Sequence, residues 1–235
     1  MLEKTKKVLD TICNHSFFSS YDVRFVGGTA LSYLIGHRLS EDLDFAMLEL
    51  KSQEIKQMMD SFGAIILEHG ATEMDYARND GTELEYYHLK FLLNGVKIEF
   101  FTPPFNILEK EIWENEDTTL YNNTNLKIAS FKTIMYMKTM AFWNRKKYRD
   151  VFDIYYVLTH SDSFDIDMFV GLYLKYNITY DKKTLYEKVK SKRSFYLRAD
   201  DEGINTLVET PKTYEWYRNK IEELLHQVYL DELYS

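Results

Sequence analysis

Apolar positions recur at two different periods along this chain, and the change of period divides it. Leu2, Val8, Leu9 and Ile12 fall roughly on one face of a helix over residues 3–15. A short β-rich run at residues 23–26 stops at Gly27-Gly28, residues 29–36 return to helical spacing, and residues 43–48 read as a buried strand. Residues 51–61 read as a further helix, and 64–68, 73–78, 84–93 and 96–101 as strands. Asn79-Asp80-Gly81 and Asn94-Gly95 supply the positive-φ residues of tight hairpins, so the last three of these strands should form an antiparallel meander. Pro103-Pro104 ends it, because proline cannot donate to a ladder. From about residue 122 the period becomes helical, over 124–143, 150–159, 166–176 and 214–230. The pattern predicts an α+β chain: a small mixed sheet with flanking helices over residues 1–120, then a helical bundle over 121–235.

Composition narrows this picture. Apolar residues make up 45% of the 235 positions and aromatics 16%, enough to fill packed cores and to exclude a disordered chain. The single cysteine, Cys13, has no internal partner and falls in an apolar helical pattern, which predicts a buried thiol and a reducing compartment. With no apolar run of membrane-spanning length and no leader-like start, the expectation is a soluble cytoplasmic protein. Charge is uneven. Residues 1–120 hold 11 Lys and Arg against 21 Asp and Glu, net −10, whereas residues 121–235 hold 18 against 16, net +2. An acidic half that binds a polyphosphate must recruit cations, although ordinary surface composition accounts for the same asymmetry.

The chemistry concentrates between Phe25 and Phe45. Two glycines between a strand and a helix let a ligand approach the backbone, and the N–H groups that open the helix attract an anion. Asp42 and Asp44 flank Leu43 in a strand, so both carboxylates take one face while Leu43 takes the core. Like charges held this close call for a cation, and magnesium, or manganese in its place, is the hard divalent ion such carboxylates hold together with substrate phosphates. Each half of the motif is common alone, as a tight turn or as solvated acids; the combination is what points to function. A two-metal site would need a third acid from a neighbouring strand, and Glu99 in Val96-Lys-Ile-Glu-Phe-Phe101 is the candidate. The alternative is that Glu99 and Lys97 only solvate a half-exposed strand.

These residues carry a resemblance. Gly27-Gly-Thr-Ala-Leu31, Gly36-His-Arg38 and Asp42-Leu-Asp-Phe45 resemble, in order, the signature of the nucleotidyltransferase superfamily with the DNA polymerase β-like fold, in particular its AbiEii/AbiGii toxin branch. A second signature of that branch is matched by Met137-Lys138, Arg145 and Arg149-Asp150-Val-Phe-Asp153, while the last ~70 residues carry none. The resemblance implies that Gly27, Gly28 and Thr29 hold nucleotide phosphates, with Arg38 beside them. It implies that Asp42, Asp44 and Glu99 bind metal and that Glu99 also takes the proton of the attacking hydroxyl. Many members have Asp at the third position, so the longer Glu99 is a departure. Lys138 and Arg145, seven residues apart and hence on one helical face, would reach the triphosphate. Asp150 reads as either a helix cap or a site residue, and Asp153, four residues after Arg149, as that arginine's structural partner. His37 sits at a helix end, where histidine meets free carbonyls. The run Asn144-Arg-Lys-Lys-Tyr-Arg149 suits a nucleic-acid backbone or, equally, a solvated loop. Tyr155, Tyr156, Tyr173 and Tyr176 are expected to pack the helices rather than stack bases.

The resulting expectation is magnesium-dependent transfer of a nucleoside monophosphate from a nucleoside triphosphate to an acceptor hydroxyl on RNA, such as tRNA, or on protein. The resemblance adds a toxin role and a separate antitoxin partner. Two other readings stand beside it: a small-molecule, aminoglycoside-type nucleotidyltransferase, and a non-catalytic binding module on the same fold.

Overall fold

The computed structural model of the chain describes residues 1–69, 84–103, 107–176, 181–192 and 204–234. They form two compact units, Met1–Ile134 and Met135–Ser235.

In the first unit, α1 (Glu3–Ile12) and α2 (Phe17–Ser20) lead into β1 (Arg24–Val26), α3 (Gly27–Ile35), β2 (Leu43–Ala46) and α4 (Ser52–Ser61). Then come β3 (Ile65–Leu67), β4 (His88–Leu93), β5 (Val96–Phe101), α5 (Ile107–Asn115), β6 (Thr119–Leu120) and β7 (Lys127–Ile128). Among the described residues they build one seven-stranded mixed sheet in the order β3-β4-β5-β2-β1-β7-β6. β2 runs parallel to β5 and antiparallel to β1, whereas β7 lies parallel to β1. The hairpin expected at Asn94-Gly95 joins β4 to β5, with φ of 51° and 74° at the two turn residues. The expected strand at 73–78 and its turn at 79–81 lie outside the described residues, and within them β4 is followed on its far side by β3.

Alternation along β2, β4 and β5 separates a dry face from a polar one. Phe45 stacks on Phe100 at 4.9 Å between ring centres, flanked by Phe25 at 5.6 Å and Phe18 at 5.4 Å. All four rings are buried, so this face anchors the sheet with aromatic area worth several kcal/mol. The residues between them, Asp44 on β2 and Lys97 and Glu99 on β5, are half-buried on the opposite face. Cys13 is buried, as its helical pattern predicted.

The boundary between the units falls within α6 (Phe131–Asn144), which is followed by α7 (Tyr148–His160), α8 (Ile166–Tyr176), α9 (Lys182–Ser191), α10 (Ile204–Leu207) and α11 (Tyr214–Tyr234). The helical period placed the start of α6 near residue 124, but Lys127 and Ile128 pair with β1, and the helix opens only at Phe131. Tyr173 packs on Trp143 at 4.4 Å and Tyr155 on Tyr217 at 5.0 Å, so these tyrosines serve the second unit's packing. The side chain of Tyr176 lies outside the described residues. No helix among the described residues is long and apolar enough to cross a membrane.

Candidate active site

The glycine turn and the first acidic pair are locked together by contact. Gly27 opens α3 at φ +74°, where a side chain is strained, and a Cβ there would lie 2.0 Å from Asp44 Oδ2. Val26 and Asp44 are register partners on β1 and β2, which brings the Asp44 carboxylate against the turn. Gly28 needs its missing side chain for a different reason: a Cβ would stand 2.4 Å from Nη2 of Arg38. The buried Arg38 guanidinium therefore lies directly under the start of α3, and it also donates to the Leu39 carbonyl at 3.0 Å. Thr29, buried, places its hydroxyl 2.7 Å from Ser40 Oγ and donates to the Asp42 carbonyl. That bond ties the first turn of α3 to the backbone that carries Asp42. His37 is buried beside Arg38.

Parallel pairing of β2 with β5 makes Asp44 and Glu99 register partners, so the third expected acid stands on the neighbouring strand and the same face. Its immediate company is cationic. Lys97 Nζ is 3.1 Å from Glu99 Oε2 and 3.5 Å from Asp42 Oδ2, and His88 Nε2 is 3.3 Å from Glu99 Oε1. Burial pushes the Glu99 carboxyl up, but the His88 hydrogen bond and the Lys97 charge outweigh it and hold Glu99 down at about 2. Burial likewise disfavours the Lys97 ammonium, and Glu99 and Asp42 more than restore it. A carboxylate so stabilised stays ionised and is a weak proton acceptor, which bears on the base role the resemblance implied for Glu99. Among the described residues no group of three or more His, Cys, Asp and Glu side chains is arranged to hold a metal ion. Asp42 and Asp44 offer hard oxygen donors on a half-buried surface, the donor chemistry magnesium takes, while the carboxylate of Glu99 is already engaged by Lys97 and His88.

The second signature lies in the second unit. Lys138 is 7% exposed, with Nζ 2.7 Å from Asp153 Oδ2 and 3.6 Å from Asp150 Oδ1. Arg145 grips the same Asp150 with both Nε, at 2.6 Å, and Nη2, at 3.0 Å. Lys138 on α6 and Arg145, just past the end of that helix, thus converge on one buried carboxylate. Burial opposes ionisation of Asp150, and Lys138 first, then Arg145, keep it below the usual carboxylate range. Asp153, expected to serve Arg149, has Lys138 from α6 as a partner at 2.7 Å. The residues that sequence reasoning left without a role are His88, Ser40 and Lys97. Only Lys97 carried a signal, its i, i+2 placement on the face of Glu99.

Comparison with known proteins bears on the family and on the fold. The family model described as nucleotidyl transferase AbiEii toxin, type IV toxin–antitoxin system, matches residues 9–220. An uncharacterized protein of Aquifex aeolicus is 29% identical over 160 residues, covering 66% of this chain. The match spans 64% of that relative's length, less than two thirds. Among solved structures, one described as a candidate nucleotidyltransferase from H. pylori is similar over 99% of both chains, with a TM-score of 0.55 at 17% identity. The nucleotidyltransferase toxin MenT4 from Mycobacterium tuberculosis H37Rv is similar over 95% of this chain and 84% of its own, with a TM-score of 0.50 at 12% identity. At these identities the two structures speak for the fold.

Proposed function

Since the chain belongs to the AbiEii nucleotidyl transferase toxin family, we propose that it transfers a nucleoside monophosphate from a nucleoside triphosphate to an acceptor hydroxyl, with pyrophosphate as the leaving group. The observation that carries this reading is the contact of Asp44 with the Gly27 turn. It sets an acidic strand against the N-terminus of a helix, where backbone N–H groups can receive the phosphates. Arg38 adds a fixed positive charge beneath that turn. Asp42 and Asp44 would hold magnesium, or manganese in its place, which would neutralise charge on the phosphoryl group as the bond to the acceptor oxygen forms and the bond to pyrophosphate breaks. Glu99 contributes through its charge, holding Lys97 and His88 beside the aspartates. In the second unit Arg145, about half exposed, would meet phosphate, and Lys138 positions it by way of Asp150. The acceptor we favour is RNA, with tRNA foremost, and the partner a separate antitoxin, in line with the family's type IV description.

The test is incubation of the pure protein with each α-phosphate-labelled triphosphate, magnesium and total RNA. Label should enter RNA from one or more triphosphates, and Asp42→Ala and Asp44→Ala should each abolish this while keeping the fold. Stability should change little, since each variant relieves repulsion between neighbouring carboxylates while Asp42→Ala also gives up the Lys97 contact. Unchanged transfer by both variants would defeat the mechanism; label passing only to protein or to a small hydroxylated compound would replace the acceptor.

A further inference from the structure

The second unit contains an open cleft of about 290 Å³ whose lining is cationic. Arg145 and Lys146, from the connection between α6 and α7, face Lys188, Ser191 and Lys192 at the end of α9, with Trp143 closing one side. Among the described residues, no acidic one lines it. Lys192 is the unusual member. It is 5% exposed, its Nζ donates to the Arg145 carbonyl at 3.0 Å, and it stands 4.9 Å over the Phe142 ring. Bringing an ammonium this far out of water is costly unless its charge is answered, and the first neighbours that bear on it are further cations. Burial, then Lys188 and Lys146, pull Lys192 down to about 8, with only Asp150 acting the other way. Lys188 in turn lies 5.9 Å over Trp143 and 5.7 Å over Tyr173, so Lys188 and Lys192 both stand against aromatic walls that fix their place. A cleft that gathers positive charge of this density, with a serine hydroxyl at its rim, is built for a ligand of several negative charges.

We propose that this cleft binds phosphate groups, with Lys146, Lys188, Ser191 and Lys192 acting beside Arg145, and that its ligand is a nucleotide polyphosphate or the phosphodiester backbone of a nucleic acid. The site needs nothing from the reading of Asp42 and Asp44, because every residue in it belongs to the second unit. Phosphate oxygens would accept from the lysine and arginine N–H groups and from the serine hydroxyl, and their charge would relieve the mutual repulsion of the cations.

The full chain is titrated, with chelator present to remove divalent ions, against three probes: ATP, inorganic triphosphate and a short fluorescent single-stranded RNA. Lys146→Gln, Lys188→Gln and Lys192→Met are compared with the wild type at low and at physiological salt. Each variant should weaken binding, with Lys192→Met losing about tenfold or more, and for RNA each lost contact should lower the salt slope by about one. Losses confined to RNA identify the backbone as the ligand, and parallel losses for ATP and inorganic triphosphate identify the polyphosphate. If Lys192→Met fails to fold, the two more accessible lysines carry the test. Unchanged affinity of all the folded variants for all three probes would overturn the site. Lys7→Gln, an exposed lysine on α1 of the first unit, should bind the probes as the wild type does, and because binding rather than transfer is read, failure of the transfer reading leaves this result standing.

Discussion

Lys97 occupies the place where the charge of a bound cation would be needed, and exchanging it for methionine separates two quantities that usually move together. Its ammonium touches Glu99 at 3.1 Å and Asp42 at 3.5 Å, with side-chain exposures of 39% for Lys97, 18% for Glu99 and 29% for Asp42. At an effective dielectric of about 20, each contact has a gross Coulomb energy of about 5 kcal/mol. Solvent access to all three side chains and the cost of partial desolvation reduce this to about 1 kcal/mol net for each pair. Lys97→Met keeps the aliphatic stem against the sheet and removes only the charge. Without divalent metal the variant should lose about 1–2 kcal/mol, because Asp42 and Glu99 then face each other without their shared cation. With the ammonium gone, a divalent ion at Asp42 and Asp44 no longer competes with a resident charge, so its affinity should rise by about tenfold, equivalent to about 1.4 kcal/mol. Calorimetric titration with magnesium and manganese measures the second effect, and urea unfolding with chelator or with saturating magnesium measures the first and its recovery. Weaker or unchanged metal affinity in a folded Lys97→Met protein would show that the ammonium does not stand in the cation's place.

Gly27→Ala should be far more damaging than an alanine at an open glycine such as Gly63, which also has positive φ but nothing within 4 Å. Both lose about 1 kcal/mol to backbone strain, and only Gly27→Ala must also displace Asp44, so loss of metal binding specific to Gly27→Ala, against equal behaviour of the two, decides the point. Lys138→Met should cost about 3 kcal/mol or more in urea unfolding, since it takes the ammonium away from buried Asp153 and leaves Asp150 with Arg145, and adding Asp153→Asn should recover part of that loss. A Lys138→Met protein as stable as the wild type would refute the buried pairing.

The parts of this molecule that were legible are those whose information is local. Asp44 falls opposite Leu43 and Phe45 because strand side chains alternate along β2, and the Asn94-Gly95 turn sets the register of β4 on β5. The paired strands β6 and β7, of two residues each, hold too few positions to show any period, so helix was read through a segment that belongs to the sheet. The helices α5 and α9 escaped for a related reason. Their charged residues, as in Lys182-Lys-Thr-Leu-Tyr-Glu-Lys-Val-Lys-Ser191, leave only Leu185 and Val189 as buried anchors. The site divides the same way. That Lys97 lies on the face of Glu99 was readable from spacing, but its position between Glu99 and Asp42 follows only from the parallel register of β2 on β5. That register pairs Asp44 with Glu99 and carries Asp42 towards Lys97. The same holds for Asp153. Spacing along one helix offered Arg149 four residues away, but it could not offer Lys138, which meets Asp153 at 2.7 Å from fifteen positions back on another helix. Periodicity states which face a side chain takes, and register or helix packing then decides which charge it meets. Here those longer-range choices set which charges meet: in the first unit they bring Lys97 to both Glu99 and Asp42, and in the second they bury Lys138 against Asp150 and Asp153.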